Sequence, residues 1–323
     1  MLKNIEINNF KSIKKINLSC NRINLFIGEP NTGKSNILEA IGLVSHMYHG
    51  SIGDFIRFEN LMNLFYDNDL SEEIIITLDE TQVVVSFSDG YFIGRHTQKN
   101  KVLFRYDYYG NDDKSVDSEF KKFKFYRFQR GISFPLKKSE YLYPPFGDNL
   151  LTILLANKQF KRLVKRIIDN FGYKLILKPT ENKIAIQKEL EDIIVEVPYH
   201  LISETHQRII FYLAAMYTNK KSVIAFEEPE SHVFPYHIKF LAERIALDGN
   251  ENQYFITTHN PYFVLSLLEK TKSDEIVVYI TYLDKYQTKV RRLTYEEIEK
   301  LLDLGSDLFF NLWQFLENAS WRV

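Results

Sequence analysis

Hydrophobic and polar positions alternate at the start of the chain, and this pattern then gives way to helical spacing. Residues 3–10 alternate as in a half-buried strand, and residues 22–27 form a short apolar run that ends at Gly28. Apolar residues between 34 and 48 recur every three or four positions, which is typical of a helix. The pattern therefore predicts the order strand, glycine turn, helix.

The middle and the end of the chain show two different rhythms. Residues 73–108 contain four short apolar runs separated by polar turns, which predicts an antiparallel meander. Beyond residue 200 helices and strands alternate, as expected for an α/β core. The remaining predicted elements are a basic amphipathic helix over 149–171, three short strands within 173–197, helices over 203–218, 235–247 and 261–269, and strands over 222–226, 253–257 and 275–281.

These rhythms predict an α/β core that is interrupted by an insertion. We expect an N-terminal lobe over residues 1–110, an inserted helical and β subdomain over residues 111–200, and a C-terminal lobe over residues 201–323. No internal repeat and no sustained heptad pattern is present, which argues against long coiled-coil arms.

Composition narrows the class of protein without identifying it. The chain has 323 residues with 45% hydrophobic and 26% charged residues, which indicates a globular protein and excludes a fibre or a disordered tail. Its 41 Lys and Arg nearly balance 42 Asp and Glu, so the whole chain has no general attraction to nucleic acid. The single Cys20 excludes an internal disulfide and a cysteine-built metal site, and it favours a reducing compartment. Without a membrane segment or a leader, we expect a cytoplasmic protein.

The strongest chemical signal is the sequence GEPNTGKS at residues 28–35, which matches G-x-x-x-x-G-K-[ST] between a predicted strand and a predicted helix. In such a loop the backbone N–H groups bind phosphate oxygens, Lys34 adds a positive charge and Ser35 offers its hydroxyl to Mg²⁺. Asn31 tolerates a left-handed conformation. The structural alternative is a glycine turn that caps a helix. The predicted nucleotide-binding loop comprises Gly28, Glu29, Pro30, Asn31, Thr32, Gly33, Lys34, Ser35 and Asn36.

Two further sites lie at the ends of predicted strands, where α/β sheets place catalytic groups. Glu227 and Glu228 follow the apolar strand 222–226, so one carboxylate could hold Mg²⁺ through water and the other could polarise an attacking water. His259 follows strand 253–257 and could donate to a γ-phosphate oxygen. The alternatives are two solvated glutamates, and a histidine at a helix start capped by Thr258 and Asn260.

Together, residues 28–35, 203–208, 227–230 and 258–259 resemble the ATP-binding-cassette heads of the SMC-like and OLD-type (overcoming-lysogenisation) ATPases. The resemblance is greatest to short stand-alone ATPases that carry an AAA label, and it covers most of residues 1–270. It implies an α/β head with a mixed, largely parallel core sheet, an antiparallel β-meander and an inserted helical/β subdomain. It also implies ATP and Mg²⁺ as cofactors and Lys34, Glu228 and His259 as catalytic residues.

The resemblance further implies that two heads face each other and trap nucleotide between the loop of one and a signature segment of the other. Ser203 occupies the signature position and would approach the opposite γ-phosphate. Glu204 and Thr205 stand where the family has glycines, which puts a tight contact in doubt. A plain N-cap role for Ser203 stays open.

The resemblance also implies a glutamine that joins magnesium to the attacking water, and Gln129 is the candidate. Arg127 or Arg130 could hold the phosphates instead, and all three could be surface residues. The implied magnesium set is then Ser35, Glu227 and Gln129. Glu230 and His232 match the loop that crosses to the partner head, and a metal site of Asp, Glu and His is the rival interpretation of that loop.

Two basic stretches, residues 121–130 and 158–166, could form a nucleic-acid or partner surface. For residues 121–130 we prefer a half-buried strand with a solvated lysine face.

These observations favour a Mg²⁺-dependent ATPase whose ATP-driven dimerisation switches a separate effector, with phage defence suggested by analogy. Expected partners are a second copy of the chain and an effector protein, while DNA or RNA stays open and a membrane is not expected. One alternative is an OLD-type nuclease. The 64 residues that follow His259 (323−259) argue against it, because they are too few for the Toprim domain that OLD-type relatives carry. Another alternative is a scaffold that binds ATP without hydrolysing it.

Overall fold

The structure is a computed structural model that describes residues 1–111 and 113–316. Its strands are β1 (Asn4–Phe10), β2 (Ile13–Ser19), β3 (Ile23–Gly28), β4 (Ile74–Leu78), β5 (Thr81–Ser88), β6 (Tyr91–His96), β7 (Lys101–Tyr106), β8 (Phe123–Tyr126), β9 (Lys174–Lys178), β10 (Lys183–Leu190), β11 (Ile193–Pro198), β12 (Val223–Glu227), β13 (Gln253–Thr257), β14 (Ile276–Asp284) and β15 (Gln287–Arg292). Its α-helices are α1 (Lys34–His46), α2 (Ile52–Phe55), α3 (Leu150–Ala156), α4 (Lys158–Asp169), α5 (Glu204–Thr218), α6 (Pro235–Ala246), α7 (Pro261–Lys270) and α8 (Tyr295–Asp303).

A mixed six-stranded sheet forms the centre, in the order β15-β14-β3-β13-β12-β8. All neighbours pair in parallel except β14 and β15, which are antiparallel. The predicted α/β fold with a largely parallel core sheet is therefore confirmed. Because parallel strands end at the same edge, the loops after β3, β12 and β13 gather on one side of the molecule.

A second six-stranded sheet, entirely antiparallel, has the order β2-β1-β4-β5-β6-β7. The meander predicted within residues 73–108 supplies four of its strands, and β1 joins it by pairing Ile5 with Leu78. The N-terminal hairpin and the meander thus form one sheet. A small sheet of β11, β10 and β9 matches the three strands predicted within residues 173–197.

The central sheet separates two hydrophobic cores, and β3 is buried against both of them, with Asn24 as its one polar side chain. Ile23, Leu25 and Ile27 pack with the helices α3–α7 on one face, while Phe26 packs on the other with α1 and the antiparallel sheet. Side chains alternate across a strand, so a strand buried on both faces has no polar face. This double burial fixes the position of the loop that follows at Gly28.

Two local predictions are wrong. The single helix predicted over residues 149–171 is divided into α3 and α4 at Asn157, whose side chain accepts a hydrogen bond from the N–H of Phe160 and so starts a new helix. The predicted solvated lysine face of residues 121–130 is also wrong at Lys124, which is buried together with the rest of β8.

Strand β8 belongs to the central sheet although it lies in the segment predicted to be an insertion. The division into lobes at residues 110 and 200 stays a prediction. Strand β15 and helix α8 were not predicted, and both extend the C-terminal part of the chain. Within residues 1–111 and 113–316, no helix combines the length and apolar character needed to cross a membrane.

Candidate nucleotide-binding site

The loop after β3 has the backbone that its glycine positions predict. Gly28 and Gly33 have φ angles of 149° and 90°, and Asn31 has a φ angle of 62°. A Cβ atom on Gly33 would lie 1.9 Å from Thr288 Oγ1, and one on Gly28 would lie 2.3 Å from the carbonyl oxygen of Thr281. Both glycines are therefore required by conformation and by space.

Strands β14 and β15 support this loop from behind. Thr32 Oγ1 lies 2.9 Å from Thr281 Oγ1, and Thr288 Oγ1 donates to the carbonyl oxygen of Thr32 at 3.1 Å. Ser12 Oγ lies 2.6 Å from Thr288 Oγ1, and Asn36 donates to Ser12 at 2.7 Å. The loop is thus held in place by residues far away in the sequence, which sequence motifs alone did not reveal.

Lys34 is buried at the start of α1. Its Nζ donates to the carbonyl oxygens of Gly28 at 2.9 Å and Glu29 at 2.6 Å. Burial lowers the pKa of Lys34 to about 8, although the charges of Glu228 and Glu29 oppose this shift. Because β3, β13 and β12 are neighbouring parallel strands, the carboxylate after β12 lies at the same edge of the sheet as the loop after β3.

Glu228 and His259 form a pair at the ends of β12 and β13. Glu228 Oε1 lies 3.2 Å from His259 Nε2, and Glu228 Oε2 accepts from Ser231 Oγ at 3.0 Å. Hydrogen bonds from these two residues lower the pKa of Glu228, so its carboxylate is ionised at neutral pH. Glu228 has a φ angle of 41°, a left-handed conformation that turns the chain at the strand end.

Glu230 is buried inside its own chain. Its Oε1 accepts from Thr258 Oγ1 at 2.6 Å and from the N–H of His259 at 3.3 Å. Burial raises the pKa of Glu230 to about 7. The side chain of Glu230 thus fixes the loop that carries His259, and the crossing of its own loop to a partner head stays a prediction. His232, in contrast, is exposed.

Glu227 lies in a network of charged side chains. Arg57 Nη2 lies 3.0 Å from Glu227 Oε1, and Arg127 Nε lies 2.6 Å from Glu227 Oε2. Both arginines also bind Glu39 Oε1, at 2.7 Å for Arg57 and 3.0 Å for Arg127. Lys11 pairs with the second oxygen of Glu39. The network connects the turn between β1 and β2, helix α1, the segment after α2, the residue after β8, and β12.

Glu39 and Arg57 were not identified from the sequence. Glu39 stands one helical turn after Ser35, on a helix whose other residues are largely apolar, and Arg57 lies in no motif. A charged residue on a buried helix face was the available signal for Glu39. Nothing in the sequence indicated its partners.

Ser203, the candidate signature serine, precedes α5 at the N-cap position, but its side chain makes no capping hydrogen bond. It is exposed beside a cavity of about 640 Å³ that also contains Phe171 and Phe234. Glu204 pairs with Arg208 at 2.8 Å and with Arg130 at 3.2 Å. The suggestion that Arg130 holds the phosphates is therefore not supported by its contacts.

Gln129 is exposed in the irregular segment after β8, and within the described residues its side chain has no hydrogen bond. Arg127, two residues earlier, contacts Glu227 instead. The lid role of Gln129 stays a prediction.

The predicted magnesium ligands have suitable chemistry for an ion bound together with nucleotide. Mg²⁺ in such sites takes one or two protein oxygens and completes its shell with water and phosphate. Ser35 and Glu227 carry a hydroxyl and a carboxylate of this kind, but both oxygens of Glu227 are paired with Arg57 and Arg127, so the metal role stays a prediction. Among residues 1–111 and 113–316, no three His, Cys, Asp or Glu side chains group closely enough to hold a metal by themselves.

Two family models match the chain in successive parts. A model described as an AAA ATPase domain matches residues 1–149, and one described as an AAA domain, putative AbiEii toxin, type IV TA system matches residues 172–266. A search of curated proteins finds no significant match.

Solved structures of SMC head domains have the same fold. An SMC head bound to the C-winged helix domain of ScpA covers 93% of this chain and 99% of its own, with a TM-score of 0.55 and 16% identity. An SMC head with an extended coiled coil, bound to the C-terminal domain of ScpA derived from Pyrococcus furiosus, covers 94% and 98%, with a TM-score of 0.52 and 16% identity. The two family models thus describe AAA ATPase domains, and the solved structures show that the chain has the fold of an SMC head.

Proposed function

We propose that this chain is a Mg²⁺-dependent ATPase whose ATP-bound heads pair and thereby switch a separate effector. One observation carries the proposal: the phosphate loop, His259 and Glu228 follow the adjacent parallel strands β3, β13 and β12 at one edge of the central sheet. A triphosphate held by the loop would therefore have its last phosphate beside an ionised carboxylate.

Each residue has a role that its contacts support. The loop amides and Lys34 would bind the β- and γ-phosphate oxygens, and Ser35 with Glu227 would hold Mg²⁺, which neutralises phosphate charge when bound. Glu228 would orient the attacking water. Because His259 and Ser231 each hold one of its oxygens, the carboxylate is already fixed for that task.

Arg57 and Arg127 supply positive charge at the same edge of the sheet. Both now neutralise Glu227 and Glu39, and they lie where the charge of a triphosphate would arrive. Arg127 keeps the phosphate-binding role considered for it from the sequence. Arg57 joins it because it binds the same two carboxylates.

Pairing of two heads would place Ser203 against the nucleotide of the partner. The exposed hydroxyl, free of a capping bond, supports this role. Glu204 replaces a glycine, but its two arginine contacts hold its side chain in a defined position. The SMC heads of the same fold are bound to domains of ScpA, which supports a protein effector here.

The same proposal includes an OLD-type identity, a role in phage defence and a cytoplasmic location, and it leaves direct binding of DNA or RNA open. One of the matched family models carries a toxin–antitoxin description, which supports a defence role.

Steady-state phosphate release tests the enzymatic part. Wild type should release phosphate from ATP in the presence of Mg²⁺. Lys34→Ala should reduce the rate by about a hundredfold or more, because it removes the positive charge that would stabilise the phosphates. Lys285→Ala, in an exposed turn, is the control. Equal rates for Lys34→Ala and wild type would contradict the assignment of the loop.

Solution mass tests the pairing of heads. Light scattering of Glu228→Gln should give a dimer with ATP and a monomer without it, since slowed hydrolysis keeps ATP in place. Ser203→Arg should prevent the ATP-dependent dimer. An unchanged mass for Glu228→Gln in both conditions would contradict nucleotide-driven pairing.

A scaffold that binds ATP without hydrolysis is the second candidate. Two contacts favour it, because they occupy groups that hydrolysis would need. Lys34 donates to its own loop, and both oxygens of Glu227 are held by arginines. ATP binding without any phosphate release by wild type would identify the scaffold.

A further inference from the structure

A second polar cavity, of about 840 Å³, lies at the opposite edge of the central sheet. Lys124 and Ser222 line it at the beginnings of β8 and β12, whereas the candidate nucleotide site follows the ends of the same strands. The four residues of β8 span about 13 Å at roughly 3.3 Å per residue, so the two sites are separate.

Lysines dominate the lining of this cavity. Two carboxylates also line it. Glu119 already binds Lys99 and His96, whereas Glu140 has no ion pair within the described residues and offsets one of the lysine charges. The lining lysines are Lys121, Lys122, Lys124, Lys220 and Lys221.

Lys124 is the unusual member of this set, because it is 2% exposed. Its Nζ lies 3.3 Å from His49 Nε2 and 3.3 Å from the ring centre of Tyr141, and no carboxylate in the described part of the chain pairs with it. Burial and the charge of Lys121 lower the pKa of Lys124 to about 6. In the absence of a bound anion the amine is therefore mostly neutral at pH 7, because a buried ammonium without a counter-ion is costly, and a bound anion would favour its protonated form.

Asn219 also lines the cavity, and it has a buried acceptor without a donor. Asn219 donates to Tyr126 and to the carbonyl oxygen of Ala215, while its buried Oδ1 has no partner within the described residues. A ligand with both an anionic group and a hydrogen-bond donor would satisfy Lys124 and Asn219 together. The volume suits a ligand of nucleotide size.

We propose that this cavity, built around Lys124 and Asn219, binds the phosphate group of a nucleotide-sized ligand at a site separate from the phosphate loop. The phosphate could belong to a free nucleotide or to the end of a nucleic-acid strand, since both carry the same chemistry. Binding here does not depend on the proposed ATPase activity.

Calorimetry on the full chain with Lys34→Ala, which disables the phosphate loop, tests this site. The probes are AMP, 5′-phosphorylated hexathymidylate and, as a probe without phosphate, adenosine. One AMP or one oligonucleotide end should bind per chain, and adenosine should bind at least tenfold more weakly. Binding of AMP identifies a free nucleotide as the ligand, and binding of the oligonucleotide alone identifies a strand end.

Two variants test whether the cavity lysines bind the phosphate group. Lys124→Met, added to Lys34→Ala, should weaken binding at least tenfold, and Lys121→Ala should weaken it about threefold. Lys121 is exposed, so this variant tests the site even if Lys124→Met does not fold. Lys138→Met, at an exposed lysine outside the cavity, should leave affinity unchanged. The proposal is overturned if neither phosphate probe binds, or if Lys124→Met and Lys121→Ala both bind as tightly as Lys34→Ala alone.

Discussion

Two buried carboxylates flank the candidate nucleotide site, and the fold accommodates them in opposite ways. Glu39 is 0% exposed and is surrounded by Lys11, Arg57 and Arg127. Glu230 is 4% exposed and accepts hydrogen bonds from Thr258 and from the backbone of His259, with no cation in contact within the described residues. Cations balance the charge of Glu39, whereas burial raises the pKa of Glu230 to about 7, so that protonation removes its charge below that pH.

The two buried carboxylates therefore have different structural roles within one site. The network around Glu39 joins five segments of the chain and holds Glu227 in position, so removal of its central charge should affect the whole fold. Glu230 fixes a single loop, and its protonation should affect stability within a limited pH range.

The largest effect is expected for Glu39→Gln. This change leaves three cations around a neutral group, which should lower the free energy of unfolding by about 3 kcal/mol. Urea unfolding followed by circular dichroism measures the change. Glu80→Gln, at an exposed position, is the matched control and should be neutral. An equal free energy of unfolding for the two variants would show that the negative charge of Glu39 is not required to balance the cations around it.

Glu230 should make stability depend on pH. Its folded pKa of about 7 exceeds the usual 4.5, so the folded state binds the proton more tightly. The protonated carboxyl is compatible with burial at low pH, and stability should fall as pH rises from 4.5 to about 7, by about 3 kcal/mol. Glu230→Gln should lack this loss. Parallel pH profiles for wild type and Glu230→Gln in urea unfolding would contradict the assignment.

A smaller effect is expected for ATP binding at high pH. Lys34 has a pKa of about 8 because burial disfavours its charged form, and this charged form is the one that binds phosphate. Affinity should be constant below pH 8 and fall above it, by up to about tenfold per pH unit. Lys34→Arg keeps its charge and should show no such fall between pH 7 and 9. Fluorescence titration with a labelled ATP measures both, and a flat profile for wild type would contradict the role of this charge.

Sequence patterns identified the parts of the site that follow directly from local chemistry. Gly28, Lys34 and Ser35 lie in a motif whose spacing is set by phosphate binding, and Glu228 and His259 directly follow apolar strands. The parallel pairing of these strands then brings the loop, the carboxylate and the imidazole to one edge of the sheet.

The remaining contacts depend on tertiary packing. Glu39 meets Arg57 and Arg127 because α1 lies beside β8 and β12, and no local pattern indicates which charges such packing brings together. Lys124 was expected on a solvated face, but β8 is covered on both sides. The break at Asn157 had a local signal, an asparagine suited to an N-cap, that the apolar periodicity of residues 149–171 concealed.

Single-turnover hydrolysis by Glu228→Gln tests most directly whether the phosphate loop and the carboxylate after β12 act on the same nucleotide. The account predicts that this variant binds ATP at least as tightly as wild type, since a negative charge near the phosphates is removed. It also predicts that the rate of phosphate release falls by about a hundredfold or more. Glu269→Gln, at an exposed position on α7, should match wild type in both. Release of phosphate at the wild-type rate by ATP-loaded Glu228→Gln would contradict the account.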